Sequence, residues 1–482
     1  MSHAPHNTTT TQPPTGRHPR RSWAAMVLAL TAQVLVVLDI SVVNTAMPTI
    51  GHDLRLGSSD LQWMVTAYLL LSGGGLLLGG RIADLMPRRR VFMTGMVLFT
   101  AASLLSGFAS TGAELIAGRA MQGAGAALMT PAALATIMTT YSGAQRARGL
   151  ALWGAIGGLG IAAGVALGGA LTTWAGWQTI FWVNVPIGAI ALVSAWRVLP
   201  RGTTERIGLA RLDVVGAATA VTGLATLMYT LARTEAHGWA SPRTLVGLGV
   251  ATVVLAGFIL IERRAAHPLL HPHTWSIRSL VSSTAVMLGV TGLLMGTVFL
   301  TSIFLQTALG YSALRSGLAF LPLALTLVAG THLAGHVSGH LSGRAIATTG
   351  LVVLAGGAAL LSRATSAATY ASDVLPGLLV IGLGAGLVFV AVSATAMADI
   401  PDQHAGMASG FLMTGHEIGA ALGVAVLSAA ASGAGALGTP DGAAAAFERG
   451  FVTAAVIAVA FAALAVLRMP AARSTGARMH LH

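Results

Sequence analysis

Two carboxylates stand inside otherwise apolar stretches of this 482-residue chain: Asp39, the one charged residue between Trp23 and Met47, and Glu417, in GFLMTGHEIGAALG with His416 beside it. Arg119 occupies the same kind of setting in AGRAMQGAGAA. An ionisable group at the centre of a bilayer costs on the order of 3 kcal/mol or more, and such groups mark ion or substrate pathways. The chemistry open to them is proton exchange and cation recognition. A carboxylate beside a guanidinium stays ionised and one left in an apolar cavity takes up a proton, so a movement that makes or breaks such a pair loads or releases a proton. The other reading of Asp39 and Arg119 is a fixed ion pair that only orients two helices. For Glu417 two readings also stand: a second proton- or cation-binding group facing a cavity, or a neutral side chain hydrogen-bonded between helices. Trp63 and Tyr68 are candidates for an aromatic wall that receives cations, although Trp63 also suits an interfacial anchor.

Other chemistries find little to work with. There is no cysteine, hence no disulfide, thiolate nucleophile or thiolate metal site. All 27 basic residues are Arg, and without Lys the phosphate-binding sequence G-x-x-x-x-G-K-[ST] cannot occur, which excludes ATP-driven pumping by this chain. No H-E-x-x-H or G-x-S-x-G sequence supports an intramembrane enzyme, which would have to assemble a site from His332, His336 and Glu417. His267, His271 and His273, in a proline-containing loop without Cys or nearby acids, read as solvated rather than metal-binding. No cofactor and no metal are expected.

The elements that must hold these residues are membrane helices. Hydrophobic residues make up 55% of the chain against 9% charged, with a mean hydropathy of +0.77, so the solvent for most of the surface is lipid. Hydropathy predicts fourteen spans, near 24–46, 61–80, 91–109, 113–139, 149–173, 180–199, 212–232, 243–261, 279–305, 314–338, 345–363, 374–397, 405–431 and 450–467. The net charge of +12 lies in short loops rather than on a basic, aromatic-lined face, which argues against nucleic acid. One side receives Arg81, Arg88, Arg89 and Arg90, then Arg146, Arg148, Arg197, Arg263 and Arg264, among others. The other holds only Arg55, Arg233, Arg243, Arg315, Arg363 and Arg449. By the positive-inside rule both termini are cytoplasmic. On that topology Asp39 lies about 15 residues from the inner start of its helix and Arg119 about 6 from the outer start of an oppositely running one, which brings both to a similar depth at 1.5 Å per residue.

Polar connections around 200–211 and 262–278 flank the seventh and eighth spans. The predicted organisation is a cytoplasmic tail at 1–22, a six-helix half at 23–200, two inserted helices with their flanks at 201–278, a second six-helix half at 279–468 and a tail at 469–482, the pattern of a transporter built from two halves. No cleavage-site pattern follows the first span, so it reads as retained.

Six segments in order resemble the major facilitator superfamily, specifically its fourteen-helix drug:proton antiporter branch. LDISVVNTAMPTI (38–50) and LQWMVTAYLL (61–70) are similar to the signatures of its first two helices, and GRIADLMPRRR (80–90) to the loop pattern G-x-L-A-D-R-x-G-R-R. AGRAMQGAGAA (117–127) matches R-x-x-Q-G, GIAAGVALGG (160–169) resembles the antiporter motif of the fifth helix, and WQTIFWVNVPIG (177–188) follows as in that branch. Leu85 and Pro87 replace the loop's usual Arg and Gly, and Val165 the usual Pro of the antiporter motif, which predicts a weaker bend there.

The resemblance implies an all-α integral membrane protein of the major facilitator fold, two six-helix halves plus two central helices, in the cell (inner) membrane as a monomer. It implies a proton-coupled antiporter exporting amphipathic, cationic drugs or antibiotics by alternating access, its partners being a small-molecule substrate, protons and the bilayer; export of one dedicated metabolite is the alternative. Asp39, Tyr68, Arg119, Gln122 and Glu417 are its expected substrate- and proton-binding residues, and Asp84 and Arg88 its inner gate. Gly160, Gly164, Gly168 and Gly169 are expected to pack helices, the first three at a spacing of four that puts them on one face. Gly419 and Gly423 repeat that spacing in the thirteenth span.

Overall fold

A computed structural model describes residues 19–56, 58–199, 213–265, 268–270, 272–432 and 440–471. Most of both expected tails and the 200–212 connection lie outside the described residues. Those described are helical without a strand, as a chain in lipid must be if each helix is to satisfy its own backbone groups. The first six spans are α1 (Pro19–Asp53), α2 (Ser58–Leu85), α3 (Arg88–Ser106), α4 (Gly112–Thr140), α5 (Gly143–Ala175) and the pair α6 (Thr179–Trp182) and α7 (Asn184–Val198). There follow α8 (Val214–His237), α9 (Pro242–Glu262), α10 (Arg278–Thr307), the pair α11 (Ala313–Leu318) and α12 (Leu321–Val337), α13 (Gly343–Leu361), α14 (Leu375–Ala396), α15 (Ala405–Ser432) and α16 (Pro440–Arg468).

Among the described residues eleven segments are long and apolar enough to cross a membrane. The three further helices, α3, α4 and α5, are 19, 29 and 33 residues long, and their arginines, threonines and glycines hold their hydropathy down. The sixth span is interrupted at Val183, three residues ahead of Pro186, and the tenth at Ala319 and Phe320, where Pro322 opens α12. Both breaks fall where a proline cannot continue the preceding turn. Conversely α5 runs unbroken through Val165.

One pattern of pairing occurs twice. In the first set α1 packs on α5, α2 on α4, α3 on α4 and α3 on α7; in the second α10 packs on α15, α12 on α14, α13 on α14 and α13 on α16. The sets meet along two seams, α2 against α15 and α5 against α12, and α8 lies over the first, touching both α2 and α15. α9 packs on α8 and turns Leu245, Val246, Val253 and Leu260 outward, the arrangement of a helix whose outer solvent is lipid.

Glycines permit the closest approaches. At Gly160, Gly164 and Gly168 of α5 a Cβ would run into Val37, Ser41 and Thr45 of α1, so the stripe is a packing face. Gly169 does not belong to it: a Cβ there meets nothing within 4 Å, because one residue further turns the side chain by about 100° around the helix. The expectation of a packing role for Gly169 is corrected accordingly. Gly419 and Gly423 do the corresponding work on α10, abutting the backbone of Leu288 and Gly292.

Candidate functional site

Asp39 lies midway along α1, Ser103 on α3, Arg119 and Gln122 one turn apart on α4, and Asn184 at the start of α7, and all five are buried. The position of Arg119 is set by a capping box a little over two turns earlier, where Glu114 accepts from the Thr111 backbone N–H and Thr111 Oγ1 accepts from the Glu114 N–H. Arg119 Nη1 donates to Asp39 Oδ2 and, at 2.9 Å, to Gln122 Oε1. Gln122 Nε2 donates to Asp39 Oδ1 at 2.9 Å and to Ser103 Oγ at 2.7 Å. Asn184 Nδ2 adds a donor to Asp39 Oδ1 at 3.2 Å, and Arg119 Nε donates to the Met64 carbonyl at 3.4 Å. Five helices thus converge on one ion pair whose charges and amides are mutually satisfied, the condition under which buried charge is tolerated.

Tyr68 of α2 lies against the guanidinium, its ring centre 4.3 Å from Arg119 Cζ, a cation–π contact. Its hydroxyl is buried and has no hydrogen-bond partner among the described residues. Tyr68 is within electrostatic reach of Asp39, Arg119 and also Glu417. Glu417 stands on α15, opposite Gly73 of α2, where a Cβ would lie 3.5 Å from the Glu417 Cβ. Its side chain is 28% exposed, and His416 Nδ1 is 3.5 Å from Oε1. Trp63 of α2 stacks on Tyr229 of α8 with ring centres 5.5 Å apart. His332 and His336 are exposed, each ring nitrogen lying against the carbonyl one turn back on α12, at 3.0 and 2.8 Å. Among the described residues no cluster of ionisable side chains could hold a metal; His267 and His271 lie outside them.

Asp84, at the end of α2, spans the first seam. Its Oδ1 accepts from Gly406 N and its Oδ2 from Met407 N, both at 2.7 Å. These are orphan donors of the first turn of α15, where a carboxylate also meets the positive end of the helix dipole. Gly80, Gly406 and Gly410 let the two backbones touch there. Arg88 donates to Thr139 Oγ1 at the end of α4, at 2.7 Å, and lies within electrostatic reach of Asp84. Leu85 is buried, and Pro87 precedes α3 with φ −54° and ψ 116°, starting that helix directly.

Asn184 and Ser103 escaped the sequence reading. Asn184 had a signal, as a lone amide in the apolar run FWVNVPIG, whereas Ser103 is a small hydroxyl among several in α3 and had none.

The profile of the Major Facilitator Superfamily matches residues 29–424. This chain belongs to that superfamily. Among its relatives, the Cephamycin export protein CmcT of Amycolatopsis lactamdurans is 37% identical over 466 residues, 96% of each chain. The Puromycin resistance protein pur8 of Streptomyces alboniger is 38% identical over 458 residues, 93% of this chain and 89% of the relative. In structure the superfamily fold recurs in the human organic anion transporter MFSD10 (TETRAN), with a TM-score of 0.63 at 17% identity over 93% of this chain and 100% of that one. It recurs again in the proton:xylose symporter XylE, with a TM-score of 0.64 at 14% identity over 93% and 95%. The protein is a multi-span membrane protein of the superfamily's exporter type, with drug- and antibiotic-export proteins among its relatives.

Proposed function

We propose that this protein is a proton-coupled exporter of amphipathic, cationic drugs or antibiotics, working by alternating access in the cell membrane as a monomer. The observation that carries the reading is the placement of two acids on opposite sets of helices around the space at Tyr68, Asp39 within the Arg119–Gln122–Asn184 network and Glu417 on α15, both within electrostatic reach of that ring. A cation entering that space competes with protons for the same carboxylates, which is the coupling an antiporter requires. The repeated pairing of helices supports two six-span halves, 23–200 and 279–468, with α8 and α9 inserted between them and fourteen spans in all. Arginine placement supports cytoplasmic termini, which makes the Asp84–α15 contact the closed inner gate.

Export of one dedicated antibiotic is the second reading, favoured by relatives named for single compounds, cephamycin and puromycin. Everted vesicles with an imposed pH gradient, offered a panel of cationic dyes, neutral antibiotics and β-lactams, separate the two. Gradient-driven accumulation of several unrelated cations supports the broad exporter, and accumulation of one compound class supports the dedicated one. Transport indifferent to the gradient rules out proton coupling.

A further inference from the structure

The inserted helix pair ends in a buried carboxylate that none of the foregoing uses. Glu262, the last residue of α9, is 5% exposed, and its two oxygens accept from the backbone N–H groups of Leu269 (3.1 Å) and Leu270 (2.9 Å) in the connection to α10. Held in this way, Leu269 and Leu270 are buried in an apolar cluster with Leu77 of α2, Leu224 of α8, Phe258 of α9 and Met407 of α15. Met407 is the residue whose N–H binds Asp84. Further along, Trp275 sets its ring edge-on to Phe411 of α15, with centres 5.4 Å apart. Leu269 and Leu270, fastened to α9, and Trp275, set against α15, therefore lie at the α2–α15 contact.

Charge reinforces the arrangement. Arg81 of α2 is within electrostatic reach of both Asp84 and Glu262. Asp213, which caps α8 by accepting from Gly216 N at 2.8 Å, lies beside the same carboxylate: a Cβ on Gly216 would come within 2.6 Å of Asp213 Oδ2 and 2.7 Å of Glu262 Oε1. Both ends of the inserted pair thus converge on the foot of α2.

We propose that Glu262 is a positioning residue of the inner gate, fastening Leu269 and Leu270 as a strap against the α2–α15 contact so that the inserted pair holds the gate shut. The inference rests on the reading of that contact as the cytoplasmic gate. For α2 and α15 to part, Leu269, Leu270 and Trp275 must leave Met407 and Phe411, so the strap adds to the stability of the closed state and to nothing in the substrate space.

The chain has no cysteine, so Leu77→Cys, at a site now 4% exposed, is a clean reporter of gate opening. Its labelling by a membrane-impermeant maleimide in everted vesicles is measured alone and with Glu262→Gln, Glu262→Asp, the pair Leu269→Ser and Leu270→Ser, or Asp84→Asn as the opening control. Gln offers one acceptor to two N–H donors, so Glu262→Gln is expected to raise the labelling rate about tenfold. The leucine pair is expected to do the same, and Glu262→Asp to return most of the protection. In transport kcat falls while KM for a cytoplasmic substrate moves less than about twofold, the mark of a changed conformational step. Labelling that stays at the parent rate in both Glu262→Gln and the leucine pair, while Asp84→Asn raises it, overturns the strap. If instead the parent protein moves no substrate under any gradient, the exporter reading fails, and the labelling comparison still decides the strap.

Discussion

Asp39 accepts from Arg119, Gln122 and Asn184 at once, so a cation reaches its oxygens only by displacing one of them. Replacing it with Asn removes the charge that makes the exchange worthwhile. Asp39→Asn is expected to lower efflux of cations by about tenfold or more while membrane expression is unchanged, measured by dye efflux and immunoblot; normal efflux would leave Asp39 as a structural ion pair. Glu417 makes a complementary case, because its side chain is 28% exposed and lies beside His416, outside the Asp39 network. Glu417→Gln should retain transport of neutral compounds and lose pH-driven transport of bulky or divalent cations. A Gln variant that moves every substrate with unchanged pH dependence would reduce Glu417 to packing. The Asp39–Arg119 meeting was legible in the sequence from depth alone, since two oppositely running helices bring those positions level. Asn184 and Ser103 were not, because their partnership with Asp39 exists only once α3 and α7 have packed against α1 and α4.

At the scale of helices, the closest contacts are backbone on backbone. Gly423 of α15 meets Gly292 of α10 with no room for a side chain, and overpacking of a tight contact costs about 1–3 kcal/mol. Gly423→Val should lower the midpoint of thermal unfolding in detergent, whereas Gly169→Ala, at a position open on every side, should leave it unchanged. Equal effects would remove the distinction between stripe and bystander. Asp84 joins helices by a different means, two N–H donors and a helix terminus. Asp84→Asn keeps one acceptor and loses the charge, so turnover is expected to fall several-fold more than substrate affinity, on the order of 1–2 kcal/mol of gate stability. A loss confined to binding would move Asp84 into the substrate site. Hydropathy located the spans, yet it underestimated their ends: α1 begins at Pro19 and continues to Asp53, and α16 starts at Pro440, because a helix does not stop where the hydrocarbon does. The breaks at Val183 and Ala319–Phe320 left only Pro186 and Pro322 as traces within apolar runs.

For the molecule as a whole, the α8–α9 pair makes the two seams unlike: α2–α15 is touched on both its helices by α4 and by α8, whereas α5–α12 is touched on both by α14. Single cysteines at two exposed arginines of that pair test the topology. Arg263→Cys should react with impermeant maleimide only from the cytoplasmic face and Arg243→Cys only from the outer face, and the reverse pattern would invert the assignment. The resemblance of six motifs was enough to predict the superfamily, but the fastening of Leu269 and Leu270 to Glu262 lay in no motif, since a carboxylate at a helix end looks the same whether it meets water or two backbone amides. The polar network around Asp39 has one more property. Every side chain in it lies between residues 39 and 184, so during synthesis its charges find their partners before α10 has been made. Domains emerging first tend to fold first, and an acid and a guanidinium released unpaired into lipid would wait at a steep energetic penalty. The order of the genetic message thus lets the first set of helices neutralise its own interior while the second is still on the ribosome, whereas Asp84 and Glu417 depend on the finished chain for their surroundings.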